Sequence, residues 1–356
     1  MFHLFRKDIE KHCAYCKSGS VINEGQVICS RRGVVDSASL LLRSAQACAA
    51  PSRHAERPVY LRGFFPVRPG SAPNNKERRP IPMNISQVYA VYFSATGNTR
   101  KVTTTLANAL AVSFDVPLEV RDFTLPAARE EAYEFAEGDL VVFGMPTYAG
   151  KLPNKLLDFV KSGFHGNGAL AVPVVTFGNR SFDNSLAELC ACLEGDGFHT
   201  IGAGAFACRH AFTDALANGR PDSDDMAELA KLGSAVVGRI VKMTEYPAPV
   251  TVDGDADAPY YRPLGLDGEP KVFLKAKPKT DLDKCIHCGV CASLCPMGSI
   301  NPDDVTEVVG VCIKCHSCVR NCPMGAKYFD DPAFLSHRAM LERDYTRRAE
   351  DKIFTA

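Results

Sequence analysis

The most constraining feature of this 356-residue chain is the arrangement of eight cysteines near its end. Cys285, Cys288, Cys291 and Cys295 are followed by Pro296, and Cys312, Cys315, Cys318 and Cys322 by Pro323. The spacing C-x2-C-x2-C-x3-C-P therefore occurs twice, 27 residues apart, in two nearly literal copies, CIHCGVCASLCPMGSI and CIKCHSCVRNCPMGAK. Four thiolates are the ligand set of a cubane iron–sulfur cluster, and this spacing supplies them. Zinc instead takes two C-x2-C pairs separated by a dozen or more residues. A repeat this close predicts a pseudo-two-fold fold whose halves each supply one cluster. His287 and His316 lie inside the motifs, where the ligand count is already complete, so both read as exposed turn residues.

The rest of the composition limits the alternatives. Fifteen cysteines in a chain of this length, eight of them at metal spacing, indicate a reducing, cytoplasmic setting and not a disulfide scaffold. The formal net charge of +0 conceals an asymmetry. Residues 1–82 carry 14 Lys+Arg against 6 Asp+Glu, and residues 83–356 carry 27 against 35. An acidic body argues against nucleic-acid binding. No apolar stretch approaches the ~20 residues of a membrane span, and the start lacks a signal-peptide core.

Residues 1–82 read as a poorly ordered basic leader. Cys13, Cys16, Cys29 and Cys48 offer the thiolates of a zinc knuckle, but no second C-x2-C follows, and free cysteines are the better reading. Met83 stands just before the first convincing strand, so natural translation is expected to start there, with the leader as read-through. Peptides from 1–82 in natively expressed protein would refute that expectation.

From residue 88 the pattern alternates between strand and helix. Strands are expected at 88–93, 118–123, 139–144, 170–177 and 201–207. Helices are expected at 98–112, where Val102, Leu106 and Leu110 share one face, at 155–160, 185–193 and 226–243. Pro173 suggests that the fourth strand is an edge or is irregular at its start. Five strands alternating with helices imply a parallel sheet covered on both faces. Residues 244–270, rich in Pro, Gly and Asp, read as a linker; 271–330 hold the cysteine motifs; 331–356 read as a charged helical tail.

Residues 271–330 resemble the bacterial-type two-cluster 4Fe–4S ferredoxins, with no departure at any ligand position. In such proteins the fourth cysteine ligates the other cluster. The resemblance therefore implies one set of Cys285, Cys288, Cys291 and Cys322, and a second of Cys312, Cys315, Cys318 and Cys295.

Directly after the first strand comes Ser94-Ala95-Thr96-Gly97-Asn98-Thr99, then a helix. Hydroxyls, a glycine and free N–H groups at a helix N-terminus form an anion site. No Gly-Lys-Ser/Thr or G-x-G-x-x-G accompanies it, so neither a Walker loop nor a dinucleotide fingerprint is present. Two more loops fall at the same sheet edge: Met145-Pro146-Thr147-Tyr148-Ala149-Gly150, and Thr176-Phe177-Gly178-Asn179-Arg180. Here residues 86–243 resemble flavodoxins. The resemblance implies a flavodoxin-like, doubly wound α/β fold with five parallel strands, the first loop holding the FMN phosphate and the other two enclosing the ring. Tyr148 is the expected stacking residue, with Phe177 and Phe182 behind it. Arg180 departs from the acidic surroundings usual in flavodoxins and would place a cation beside the ring, favouring a reduced anionic flavin. His199, Arg209 and His210 read as polar residues at a strand end, with a place at the flavin mouth as the alternative. Cys190, Cys192 and Cys208 read as small buried residues.

A flavodoxin-like domain followed by a small α+β two-cluster domain resembles the flavodoxin–ferredoxin fusion proteins of anaerobes. The resemblance implies two 4Fe–4S clusters, FMN, redox partner proteins and a role in electron transfer. A reductase passing electrons to a small-molecule acceptor at the flavin is the alternative. The absence of a long insertion between the fourth and fifth strands favours the carrier. Lys271, Lys275, Lys277, Lys279 and Lys284 precede the first motif and read as a solvated charge run, with docking of an acidic partner as the alternative.

Overall fold

The computed structural model describes residues 21–23, 26–29, 33–36 and 84–355. The chain divides into two units, Met1–Lys76 and Glu77–Ala356. In the first, the described residues form β1 (Val21–Asn23), β2 (Gln26–Cys29) and β3 (Gly33–Asp36), paired antiparallel in that order. Runs of three or four residues are too short to show a period, so the sequence pattern did not reveal them. The candidate zinc knuckle, apart from Cys29, and the expected start at Met83 lie outside the described residues, as does most of the leader expected to be poorly ordered.

The second unit begins with β4 (Gln87–Tyr92), α1 (Asn98–Phe114), β5 (Leu118–Asp122) and a 3-10 turn at Pro126–Arg129. It continues through β6 (Tyr133–Glu134), β7 (Asp139–Pro146), α2 (Leu157–Ser162), β8 (Phe164–His165), β9 (Leu170–Phe177) and α3 (Ser185–Gly195). β10 (His199–Thr200), β11 (Ala203–Ala207) and α4 (Ser223–Lys242) complete the α/β part. Beyond residue 270 come β12 (Lys279–Thr280), α5 (Val290–Ser293), α6 (Ser317–Arg320), β13 (Lys327–Tyr328), α7 (Pro332–Asp344) and β14 (Lys352–Phe354).

The main sheet runs β5-β4-β7-β9-β11, all parallel, with β14 antiparallel on the outer edge of β11. Alternate strand residues feed two cores. Val88, Ala90, Leu140, Val142 and Val172 meet Leu106 and Leu110 of α1 and Leu232 and Val236 of α4. On the other face, Val91, Phe143, Ala171 and Val175 meet Leu186 and Leu189 of α3 and the buried ring of Phe123. Each buried Val, Leu or Phe among them contributes about 1.5–3 kcal/mol. Close packing of α1 requires Gly144, since a Cβ there would lie 1.9 Å from Thr103 Oγ1.

Pro173 corrects the expectation of an edge strand: β9 is central and Pro173 pairs with Phe143 of β7. On its other side the ladder is interrupted between Thr200 of β10 and Ala203 of β11. Ile201 N–H donates to the Ala171 carbonyl, so residues 171 and 173 face that side, and the missing N–H falls at the break. β14 is a second difference, because the tail read only as helical. It covers what would otherwise be an open sheet edge.

Residues 244–270 are irregular but bound down. Lys151 Nζ donates to the carbonyls of Ala256 and Ala258 at 2.7 and 2.9 Å, and the Tyr260 hydroxyl to that of Leu152 at 2.9 Å. The segment that follows is built of very short elements, with Ile300 and Val305 in a small core beside the cysteines. Among the described residues, no helix is long and apolar enough to cross a membrane.

Candidate functional site

The eight motif cysteines form two rings. Cys285, Cys288, Cys291 and Cys322 line one cavity, and Cys295, Cys312, Cys315 and Cys318 line the other. Each ring takes three cysteines from one motif and the fourth from its copy. The chain reverses through left-handed backbone at His287 and Gly289 (φ 54° and 74°) in one copy, and at Lys314 and His316 (φ 54° and 60°) in the other. Backbone N–H groups of Ser299, Lys314 and Ala326 donate to the sulfurs of Cys295, Cys312 and Cys322 at 3.3, 3.4 and 3.2 Å. At Cys322 burial raises the thiol pKa, but the N–H groups of Ala326, Met324, Lys327 and Gly325 bring it below the ordinary value. Burial pushes Cys318 up to about 12 and Cys315 well above its usual range. Such thiols ionise when a metal takes the place of the proton. Among the described residues, no three His, Cys, Asp or Glu side chains converge on a point for a single ion. Each ring of four thiols encloses a space instead, a donor set that fits a cubane cluster.

His287 is exposed, as expected, but His316 is not: it is 5% exposed and its ring lies 4.7 Å from Phe329 and 4.7 Å from Phe212. The expectation of an exposed turn is corrected by the packing of α6 against aromatic residues from distant parts of the chain.

A larger cavity opens at the carboxyl ends of β4, β7, β9 and β11. Ala95, Thr96, Asn98 and Thr99 line it from the first loop, Pro146, Thr147, Tyr148, Ala149 and Gly150 from the second, and Phe177, Gly178 and Arg180 from the third. At the start of α1, Gly97 (φ 90°) caps without a side chain and the first turn carries no acid, leaving the helix end suited to an anion. Ser94 stands behind this loop, its Oγ accepting from Arg100 N–H at 3.0 Å. Thr99 and Thr176 hydroxyls meet at 2.8 Å and tie the first loop to β9. The second loop turns back at Ala149 and Gly150 (φ 50° and 78°), with Tyr148 and Lys151 paired across it. A Cβ on Gly150 would lie 2.4 Å from Asp183 Oδ2, so both conformation and space call for glycine.

The opposite wall comes from the cysteine module and the tail: Ile313, Lys314, Cys315, Phe273 and His337. Cys315 therefore lines both the large cavity and one cysteine ring. Tyr148 sits against this wall. Its hydroxyl is held well above the ordinary value by burial and then by the neighbouring Cys315 and Cys312. The module is fastened by Arg129, which donates to the Pro296 carbonyl at 2.5 Å, and by Arg320, which donates to the carbonyls of Ala211 and His210 at 2.9 and 2.8 Å.

Two expected ring-side residues are reassigned. Asn179 does not line the cavity: it is 2% exposed, and its amide donates to the Tyr345 and Arg347 carbonyls at 2.6 and 2.7 Å, anchoring the tail. Arg180 does line it, but pairs with Asp183 and lies over the Tyr261 ring at 3.9 Å. Its charge is thus compensated, which removes the basis for a bare cation at the ring. Arg209 and His210 also line the cavity, whereas His199 stacks on Tyr246 at the far end of the strands. His210 Nδ1 accepts from Phe212 N–H at 3.1 Å, and burial, then His337, Arg320 and Arg180, lower its pKa to about 3. Cys190, Cys192 and Cys208 are buried, and burial pushes the first two up to about 12 and 11. Four of the five lysines before the first motif are engaged nearby, Lys271 with Asp267, Lys279 with Asp330, Lys284 with Asp281, and Lys277 on the Val308 carbonyl.

Sequence reasoning missed Tyr261, Phe273, Lys314 and His337 as cavity residues. They belong to the linker, a cluster motif and the tail, where nothing local marks them as facing a flavin site.

A family model described as a flavodoxin domain matches residues 89–175, and one described as a 4Fe–4S dicluster domain matches residues 277–323. No curated protein matches the chain. Among solved structures, a flavodoxin from the domain Archaea is similar at 16% identity over 43% of this chain and 98% of that one, with a TM-score of 0.31. A short-chain flavodoxin associated with a bacterial microcompartment is similar at 15% identity over 44% and 98%, with a TM-score of 0.30. Rubredoxin:oxygen oxidoreductase from the anaerobe Desulfovibrio gigas is similar at 13% identity over 44% of this chain and 37% of that one, with a TM-score of 0.30. The cysteine rings, the parallel sheet and these two family matches together define the chain as a flavodoxin domain followed by a 4Fe–4S dicluster domain, the architecture of a flavodoxin–ferredoxin fusion.

Proposed function

We propose that this protein is a cytoplasmic electron carrier of anaerobic metabolism, passing electrons between redox partner proteins, two 4Fe–4S clusters and FMN. The observation that carries the proposal is the wall formed by Cys315, which belongs at once to a cysteine ring and to the cavity at the sheet edge. When bound, the flavin supplies a store that takes two electrons and releases them singly, and the clusters supply one-electron stations.

The residues divide the work. Cys295, Cys312, Cys315 and Cys318 hold the inner cluster against the flavin cavity. Cys285, Cys288, Cys291 and Cys322 hold the outer one, where Cys288 is exposed to a partner. The open N-terminus of α1 would take the FMN phosphate, and Tyr148, on the wall shared with the cysteine module, would pack against the ring. Phe273 and Tyr261 roof the cavity from the module and the linker and exclude water. Joining both domains in one chain removes a diffusional encounter between donor and acceptor.

Anaerobic purification followed by iron, sulfide and flavin assays tests this reading. About eight irons per chain together with one equivalent of FMN is the expected result. Iron without flavin would reduce the protein to a ferredoxin beside an empty sheet, and colourless or zinc-loaded protein would end the proposal. Rapid turnover of a small electron acceptor by the loaded protein alone would favour the reductase instead.

A further inference from the structure

Among the positions buried in both motif copies, one differs in charge. The residue five places after the fourth cysteine is Ile300 in one copy and Lys327 in the other. Both are buried, at 4% and 3% exposure, and each lines the cavity of the ring to which that fourth cysteine contributes. Lys327 is held in place by β13, which pairs it with Thr280 of β12. Its Nζ donates to the Thr280 hydroxyl at 2.7 Å and to the Val305 carbonyl. An ammonium carries three donors, and these two acceptors satisfy two of them. Among the described residues no carboxylate reaches it at ion-pair distance, and Asp304 interacts with its charge only from farther away. Burying a cation without a counter-charge is costly unless an anion sits beside it.

We propose that Lys327 is the internal counter-charge of the outer cluster and raises that cluster's reduction potential. The inference rests on the cluster reading above. Reduction adds one electron, drawn from the flavin or a partner protein, and moves no proton. The reduced form carries one more negative charge, so a fixed ammonium in a low-dielectric site stabilises it over the oxidised form. The inner cavity has Ile300 at the same place. Its cations approach from outside: Lys314 holds the Cys312 carbonyl at 3.0 Å and Lys277 the Val308 carbonyl at 2.6 Å.

The test is an anaerobic redox titration of the full chain, followed by electron paramagnetic resonance, for the wild type, Lys327→Gln and Lys327→Ile. Gln keeps an N–H donor without the charge, and Ile copies the other motif. Cys288→Ser, which alters the outer ring alone, assigns the signals, and iron is counted in every sample first. With iron content unchanged, both Lys327 variants should shift the outer cluster's reduction equilibrium at least tenfold toward the oxidised form, about 59 mV for one electron. The inner cluster should move less. Potentials unchanged within about twofold in equilibrium would overturn the proposal, as would a shift confined to the inner cluster or iron loss in folded Lys327→Gln. A wild type without iron would instead remove the cluster reading itself.

Discussion

The sheet domain and the dicluster module are built on different physical terms. The sheet has two apolar cores, with main strands of five to eight residues and helices of up to 20 residues. The module has paired strands of two residues, helices of four, and Ile300 and Val305 as its buried aliphatic side chains beside the cysteines. A chain segment that small does not close a stable core unaided and depends on what its cysteines bind. One region is therefore specified by burial, the other by coordination.

The largest expected effect breaks that comparison directly. Stripping iron with a chelator should abolish hydrogen-exchange protection across the module while the main sheet keeps its own. Equal loss in both regions, or in neither, would show that the distinction is wrong. On the sheet side, Arg220 is 4% exposed in its side chain and joins Asp225 at 2.6 Å, Asp351 at 3.1 Å and the Ala349 carbonyl at 2.6 Å. Arg220→Ala leaves the buried Asp351 without its cation and Asp225 with Arg348 alone, and should cost about 3–5 kcal/mol in denaturant unfolding, with cluster content unchanged.

Acid should loosen the junction between the regions. His210 and His316 both have pKa values lowered to about 3, chiefly by burial. Above the unfolded value near 6.5 both states are neutral and the stability is fully present. Below it the unfolded chain binds protons that the fold refuses, so stability falls as pH drops from 6.5 toward 3. The two histidines together should lose stability on the order of a few kcal/mol near pH 5.5. Equilibrium unfolding at pH 7.5 and 5.5 measures it, and a flat profile would contradict the burial of these rings. Smaller again, Asn179→Ala should cost about 1–3 kcal/mol and free the tail, raising exchange at β14 before the central strands.

What could be read from the sequence follows the same division. The cysteine motifs and the turn from β4 into α1 are local patterns whose chemistry is complete within a few residues. The alternation of strands and helices gave the parallel sheet for the same reason. Pro173 misled because its tolerance depends on a gap in a neighbouring strand. His316, Asn179 and Arg180 misled because their partners, Phe329, the Tyr345 carbonyl and Tyr261, come from segments 13 to 166 residues away. A short edge strand such as β14 has no period to detect.

The central claim is that the inner cysteine ring and the cavity at the sheet edge share a wall through which electrons pass. Anaerobic stopped-flow mixing of oxidised, fully loaded protein with a one-electron donor tests it most directly. Cluster bleaching should be followed by flavin bleaching in a first-order phase whose rate is the same at every protein concentration. A flavin phase that quickens in proportion to protein concentration, or flavin reduced while the clusters stay oxidised, would contradict the account.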